Sequence, residues 1–384
     1  MILNTQAVKV DSKKLKILFL LYLLPTICEY FFKYSSPLTS PGYSFAHPWF
    51  SWLKTVVQCL LLVFFLYPFR AKITIRNILI WFSLIAYFLV LILYKYSNDL
   101  IDPNTVAIKS FFIFIGFVAV LTTLKTEYIL LESTIKFIFN IFFVGFVIQI
   151  FVYYFFGINP SHSPDFFLFP RFNAVTNDSL ATGLIIPLFI PLLINKKTRI
   201  FHMLILILMS ISTGSFSSLF ITLFLLFSYL AYKKLFSLIV FNVFALAVSG
   251  VIFYEEITYI LSYKIDSILV HLDYFIKLFS SDQTNCKEIF CESFFAWSIS
   301  ISWITTLLFY ISLGYMIKKL IDFAQAQTHE VVAHSVLCLG FSILISSLFH
   351  PVIIIPFAIN LFFIAFFILS NAHVNSLSKL KVKK

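Results

Sequence analysis

The sequence predicts an all-α protein, a polytopic membrane helical bundle with about 12 transmembrane helices and one large external loop. Of the 384 residues, 60% are apolar and 12% are charged, and the mean hydropathy is +0.97. A soluble globular protein carries about 25% charged residues. Apolar runs also recur along the whole chain, and no stretch is polar enough to form a soluble domain. We therefore predict a single membrane domain over residues 1–384.

Each predicted crossing is an apolar run close to the roughly 20 residues that a helix needs to span a bilayer. The pair at 200–213 and 215–232 is the weakest, because the first run is short and only a three-residue turn separates the two. A re-entrant hairpin fits this pair as well as two crossings. The twelve runs lie at 17–32, 55–69, 77–94, 107–124, 134–157, 178–194, 200–213, 215–232, 235–254, 293–317, 331–350 and 352–370.

The distribution of charge predicts which way the chain is oriented. Lys and Arg are enriched in cytoplasmic loops of membrane proteins. With both termini in the cytoplasm, 20 of the 28 Lys and Arg and 5 of the 17 Asp and Glu lie inside. The cytoplasmic side then carries +15 and the outer side −4, which together make the net charge of +11. The basic balance is therefore a signal of topology and gives no reason to expect a nucleic-acid partner.

Arg171 is the only arginine that this topology places on the outer side. An external arginine runs against the usual charge distribution, so a specific contact is expected, and a guanidinium suits phosphate oxygens. A salt bridge to Asp165 or Asp178, or contact with lipid head groups, would explain it equally. Two external segments are long enough to carry a site, and they are 158–180 and 255–292. The polar candidates beside Arg171 are Asn173, Asn177 and Asp178.

The second external segment begins as an amphipathic helix, which we expect to lie on the outer leaflet or to cover a cleft in the bundle. His271 on its polar side is a candidate for acid–base chemistry, or an incidental surface residue. Glu292 opens the next predicted span and is a candidate general base, or a charge that complements the helix dipole. The apolar positions, at spacings of three and four, are Ile257, Leu261, Ile265, Ile268, Leu272, Phe275 and Phe279.

Cys286 and Cys291 lie in the same external segment, where an oxidising compartment permits a disulfide between them. Free thiols are the alternative. Two cysteines without a nearby histidine are too few for a metal site, which needs about four ligands. The sequence has no phosphate-binding glycine-rich loop, zinc-protease or serine-hydrolase motif, so we expect neither a metal nor another cofactor.

Four segments of the chain carry a family resemblance, and they are PRFNAVTNDSLATGLIIPLFIPLLI, STGSFSSLFITLFLLFSYL, ESFFAWSISISWITTLLFYISLGY and HPVIIIPFAINLFFIAFFILS. Together they resemble the O-antigen polymerase family, within the superfamily of O-antigen polymerases and ligases of bacterial inner membranes. In place of the family's usual glycine after the arginine this chain has Ala174, and Phe216 replaces the arginine of the family's Thr-x-Ser turn.

The resemblance implies metal-independent glycosyl transfer at the outer face of the inner membrane, from a polyprenyl-pyrophosphate-linked glycan to a new lipid-linked repeat unit. It implies that Arg171 neutralises the departing pyrophosphate and that Glu292 activates a sugar hydroxyl. His162 and His271 are weaker candidates for either role. It also implies membrane lipid and a chain-length regulator protein as partners. The large loop has no arginine, so a second cationic site would use Lys264, Lys277 or Lys287.

Two other functions fit the predicted topology. A flippase or transporter of lipid-linked oligosaccharides also has about twelve spans, but it should line a central cavity with polar residues, and the spans hold few charges at mid-depth. An O-antigen ligase is the third possibility, although Glu292 stands where that enzyme is expected to have a histidine. A non-enzymatic membrane scaffold is the least specific alternative.

Overall fold

A computed structural model describes the central and C-terminal parts of the chain. All of the regular secondary structure in the described residues is helical, and no strand occurs among them, as the sequence predicted. The count of twelve crossings also concerns other residues and stays a prediction. The described residues are 128–157, 171–174, 176, 179–195, 198–252, 303–325 and 330–349, with scattered positions at 56, 254–255, 258, 262, 265–266, 269, 273, 276, 295, 299, 358, 361–362, 365–366 and 369–370.

Two of the described helices, Tyr128–Phe156 (α1) and Glu330–Phe349 (α8), are long and apolar enough to cross a membrane. Helix Arg199–Ser212 (α4) has 14 residues, which is a length of about 21 Å. That is less than the roughly 30 Å of a bilayer's hydrocarbon core, as a re-entrant hairpin would require. The helices are α1 (Tyr128–Phe156), α2 (Ser179–Ile185), α3 (Ile190–Ile194), α4 (Arg199–Ser212), α5 (Phe216–Tyr232), α6 (Phe236–Ile252), α7 (Trp303–Gln325) and α8 (Glu330–Phe349).

Helix α1 is apolar on both its inner and its outer face. Its buried face includes Ile135, Ile138 and Phe142, which recur at helical spacing. The opposite face exposes a second apolar set, Val144, Val147, Ile148, Phe151 and Phe155. A helix that is hydrophobic all round belongs in a protein interior or in a membrane. Because one of these faces is exposed, the pattern is typical of a helix in contact with lipid.

The centre of the bundle is a broken helix, in which α2 and α3 are joined by a 3-10 turn over Ile186–Phe189. Pro187 and Pro191 explain the break, because proline has no N–H to donate to the preceding turn. Every residue from Ala181 to Ile194 is buried. Irregular backbone at membrane depth is tolerated only where protein surrounds it or where it lines a cavity. Helices α4, α5 and α8 pack around this break.

Gly183 lets the broken helix approach α5 closely. A β-carbon at position 183 would lie 2.1 Å from the Oγ atom of Ser218, far inside van der Waals contact. Small residues have this effect in membrane helix interfaces, where they let two backbones meet. Ser218 lies in the first turn of α5, so the contact fixes the start of α5 against α2. It also brings together two of the segments that carry the family resemblance.

Helix α7 differs from the predicted span at 293–317. The helix Trp303–Gln325 continues eight residues beyond 317, through Lys318, Lys319 and Asp322. Lys319 pairs with Asp322 at 3.4 Å, one turn apart on the exposed side. An apolar run marks the part of a helix that can lie in lipid, whereas the helical hydrogen bonds continue wherever the residues allow it. The predicted span and the helix therefore have different C-terminal ends, and the span stays a prediction.

Candidate functional site

Gln149, near the C-terminal end of α1, binds the short segment that contains Arg171. Its Nε2 atom donates to the Asn173 Oδ1 atom at 2.8 Å and to the Ala174 carbonyl at 2.9 Å. Its Oε1 atom accepts from the backbone N–H groups of Asn173 at 3.1 Å and Ala174 at 2.9 Å. A backbone N–H can only donate, so these contacts fix which way the amide points. Both donors and both acceptor positions of the amide are used.

The carbonyl oxygen of Asn173 organises the next turn of the chain. It accepts hydrogen bonds from the Thr176 backbone N–H at 2.9 Å, the Thr176 hydroxyl at 3.2 Å and the Thr182 hydroxyl at 2.6 Å. The two threonine hydroxyls also lie 2.7 Å apart. Asn173, Thr176 and Thr182 are all buried. The segment is therefore attached to α1 through Gln149 and to α2 through Thr182.

Ala174 adopts a left-handed backbone conformation, with φ of 49°. This conformation costs a residue with a β-carbon about 1 to 2 kcal/mol, whereas glycine adopts it readily. The two hydrogen bonds from the Ala174 backbone to Gln149 hold the residue in place. The segment therefore keeps a conformation that alanine itself disfavours.

Arg171 lies against the turn between α4 and α5. The Phe172 N–H donates to the Ser212 carbonyl at 2.8 Å, which joins the segment to the end of α4. Gly214 has φ of 57°, and a β-carbon there would lie 2.6 Å from the Cγ atom of Arg171. The aliphatic part of the arginine side chain therefore rests directly on this glycine. Both its backbone conformation and this contact require glycine at 214.

Hydroxyl groups of Ser210, Thr213 and Ser215 lie at the junction of α4 and α5, beside the turn that Arg171 contacts. The Thr213 hydroxyl donates to the Ser210 carbonyl at 2.7 Å and accepts from the Ser215 N–H at 3.3 Å. The Ser215 hydroxyl caps α5 by accepting from the Ser218 N–H at 3.4 Å. Deeper in the bundle the Ser210 hydroxyl lies 3.2 Å from that of Thr222. We call this group the Arg171 cluster; it comprises Gln149, 171–174, Thr176, Thr182, Ser210, 212–215, Ser218 and Thr222.

The Arg171 cluster has the properties of an anion-binding site. It combines a half-buried arginine with the N-terminus of α5, a 17-residue helix whose partial positive charge lies two residues from Gly214. The described hydroxyl and amide groups around it are neutral and hold the segment that carries the arginine in place. An oxyanion is the ligand that fits such a group.

Gln149 was missed by the sequence reasoning. It is a single polar residue within the apolar run IFFVGFVIQIFVYYFF, and a buried amide in a membrane helix needs a hydrogen-bonding partner. That signal was available, but it does not reveal which residue the amide binds. The partners lie 24 and 25 positions further along the chain.

The other predicted site residues are divided between the described part of the chain and the rest. Arg171 and Asn173 lie together, but the backbone and side-chain oxygens of Asn173 are engaged within the protein. That geometry favours a supporting role for Asn173. Residues outside the described part are Asn177, Asp178, His162, Lys264, His271, Lys277, Cys286, Lys287, Cys291 and Glu292.

The second external segment, in which the sequence predicts an amphipathic helix, is described only at scattered positions. The described positions between 254 and 276 are helical. Ile265 and Ile276 are more than half exposed, and Asp266 on the polar side is exposed too. Apart from Ile265, the predicted apolar face lies outside the described residues, so the amphipathic helix and both of its possible locations stay predictions.

A second polar group, which we call the Glu330 cluster, lies at the opposite end of α5. Lys233 Nζ lies 2.5 Å from Glu330 Oε1 and joins the end of α5 to the start of α8. The His334 ring packs against Tyr229 and Tyr232, and its Nδ1 atom lies 2.7 Å from the Glu330 carbonyl. The Tyr229 hydroxyl accepts from Asn195 Nδ2 at 3.0 Å. The cluster comprises Asn195, Tyr229, Tyr232, Lys233, Glu330 and His334.

Among the described residues, no group of three or more His, Cys, Asp or Glu side chains is placed to hold a metal ion. Cys338 is buried and is not in a disulfide. Comparison of the chain with protein-family models, with curated proteins and with solved structures finds no match.

Proposed function

We propose that this protein is a surface-polysaccharide polymerase of the bacterial inner membrane, multi-pass and with both termini in the cytoplasm. It would transfer a growing glycan from polyprenyl pyrophosphate to a new lipid-linked repeat unit on the outer side. The observation that carries the proposal is the contact between Arg171 and the turn that begins α5. The family resemblance singled out the segments on both sides of this contact independently.

The proposed reaction is favoured by a cation next to the leaving group, because the departing pyrophosphate gains negative charge. The bond between the anomeric carbon of the glycan and a pyrophosphate oxygen breaks, and that oxygen keeps the electron pair. A new bond forms between the anomeric carbon and a hydroxyl oxygen of the acceptor sugar, whose proton passes to a base. Arg171 and the N-terminus of α5 would stabilise the negative charge that develops on the pyrophosphate. A planar guanidinium can bind two of its oxygens at once.

The remaining roles fall on residues outside the described part of the chain. Glu292 is our candidate for the base that accepts the hydroxyl proton, with His271 as an alternative. Asn177, Asp178, Lys264 and Lys277 are candidates for binding the glycan or the pyrophosphate. The reaction requires no metal or nucleotide sugar, since the donor already carries an activated leaving group.

The test is the glycan profile of a strain whose own copy of the gene carries Arg171→Ala. We expect long chains to disappear while the protein level in the membrane stays normal. Arg171→Lys keeps the charge but loses the planar fork, so it should retain part of the activity. Arg199→Ala is the matched control, because Arg199 is exposed at the start of α4, at the opposite end of that helix from Ser212. Long chains persisting in Arg171→Ala would overturn the role of this residue.

A deletion strain separates the proposed polymerase from the two other functions. Loss of polymerisation leaves a single repeat unit on the lipid anchor. Loss of a flippase would leave no repeat unit on the surface, and loss of a ligase would leave polymerised glycan on the polyprenyl carrier. Only the first of these profiles agrees with the proposal.

A further inference from the structure

We infer that Gln149 is a positioning residue for the proposed pyrophosphate site and acts through Arg171. The inference rests on the proposed function, since it concerns how the same site is assembled. Gln149 lies on α1, at a helix position separate from the loop that carries the cation. It donates two and accepts two hydrogen bonds with Asn173 and Ala174.

The Arg171 segment is attached to three helices directly after the arginine. The Phe172 N–H binds the end of α4 at Ser212. The four hydrogen bonds of Gln149 bind the next two residues to α1, and the Thr182 hydroxyl binds the Asn173 carbonyl to α2. Ala174 has the left-handed backbone conformation that residues with a β-carbon disfavour, so it needs these hydrogen bonds to keep it. Removing Gln149 removes the attachment to α1 and leaves those to α4 and α2.

Burial makes this attachment strong. Gln149 is 3% exposed and Asn173 is 1% exposed. An apolar residue at 149 would leave two N–H groups and two carbonyl oxygens of the segment without their buried partner. The segment would have to move to satisfy them. A movement of about 1 Å is enough to spoil contacts between a guanidinium and a phosphate, because such contacts depend on distance and alignment.

The experiment measures binding of farnesyl pyrophosphate to the full-length protein in lipid nanodiscs, with farnesol as the uncharged probe. Gln149→Leu should raise the Kd for farnesyl pyrophosphate about tenfold, and Arg171→Ala should raise it at least tenfold. The double variant should bind no more weakly than Arg171→Ala alone, because both changes remove the same contact. Binding of farnesol should be unchanged in all three variants.

The outcomes separate this inference from the proposed function. If Arg171→Ala binds farnesyl pyrophosphate as tightly as the wild type, the proposed site is wrong and the inference is overturned with it. If only Gln149→Leu binds normally, the inference is overturned and the proposed site stands. Additive losses in the double variant, or weaker farnesol binding in Gln149→Leu, would mean that Gln149 acts through general stability and would also overturn it.

Two further variants control for folding. Asn242 is a buried amide on α6 that donates to the Leu238 carbonyl at 2.6 Å and contacts the Met203 sulfur at 3.1 Å. Asn242→Leu makes the same kind of change away from the Arg171 segment and should keep the wild-type Kd; a tenfold loss there would overturn the inference. If Gln149→Leu does not fold, Gln149→Asn keeps a buried amide with a shorter reach. It should still raise the Kd severalfold, and a wild-type Kd in that variant overturns the inference.

Discussion

The Arg171 cluster and the Glu330 cluster lie at opposite ends of the same helices, and they use polar residues in different ways. At the Arg171 cluster, neutral amide and hydroxyl groups bind the backbone of a short segment and support one cation. At the Glu330 cluster, the cation Lys233 is paired with a carboxylate and also lies 5.5 Å from the ring centre of Tyr232. The cation of the Glu330 cluster is neutralised within the protein, whereas the described contacts that attach the Arg171 segment to Gln149 and Thr182 are between neutral groups.

The two clusters also differ in backbone conformation. A buried, hydrogen-bonded loop with a left-handed alanine has a conformational cost, and such strain concentrates at functional sites. The Glu330 cluster has the features of a connection between helix ends, in which an ion pair and aromatic contacts join α5 to α8. Changes at the two clusters should therefore have different consequences for activity and for stability.

The largest effect is expected from Gly214→Ala. The new β-carbon would meet the Arg171 side chain at 2.6 Å and would also occupy a left-handed backbone conformation. We expect a loss of about 3 kcal/mol in the free energy of unfolding together with loss of long glycan chains. The measurements are thermal unfolding in detergent micelles and the glycan profile.

Gly157→Ala is the matched control for that change. Gly157 also has a left-handed backbone, with φ of 64°, but a β-carbon there meets nothing within 4 Å. Its free energy of unfolding should fall by only about 1 kcal/mol, which is the cost of the left-handed conformation for alanine. Long glycan chains should persist. If the two variants have the same glycan profile, the contact between Gly214 and Arg171 does not matter for activity. The functional difference between the Arg171 cluster and the Glu330 cluster would then be wrong.

A smaller effect is expected from breaking the ion pair of the Glu330 cluster. The side chains of Lys233 and Glu330 are 24% and 30% exposed. Partial exposure screens the attraction, so Lys233→Met or Glu330→Gln should each lower the free energy of unfolding by about 1 kcal/mol or less. Long glycan chains should persist in both variants. If either variant loses long chains at a normal protein level, the Glu330 cluster has a functional role, and the comparison between the two clusters is wrong.

The positions of the helices could largely be read from the sequence. The apolar runs predicted at 200–213 and 215–232 correspond to helices Arg199–Ser212 and Phe216–Tyr232, and the run at 331–350 corresponds to Glu330–Phe349. Hydropathy identifies such segments because lipid and protein interiors both exclude charge. Hydropathy does not give the end of α7, because charged residues extend the helix beyond the apolar run.

The site could be predicted only in part, because its members are distant in the sequence. Topology and charge singled out Arg171, and the resemblance singled out the turn at 213–215. The contact between them depends on Gly183 and Gly214, whose roles become visible only when the helices are packed. No pattern in the sequence pairs Gln149 with Asn173. Local periodicity describes a single helix and carries no information about which loop a buried amide will meet.

The smallest expected effect, Ala174→Gly, tests whether the Arg171 segment is strained. Glycine removes the left-handed penalty of about 1 to 2 kcal/mol. It also gives the unfolded chain more conformational freedom, which costs about 0.4 to 1 kcal/mol. The midpoints of these two ranges give a net gain of about 0.8 kcal/mol in the free energy of unfolding, with long glycan chains retained. The same substitution at Ala181, a buried residue within α2, should instead destabilise the protein by about 1 kcal/mol. If both substitutions destabilise equally, Ala174 carries no strain, and the hydrogen bonds of Gln149 only reinforce a conformation that the segment already prefers.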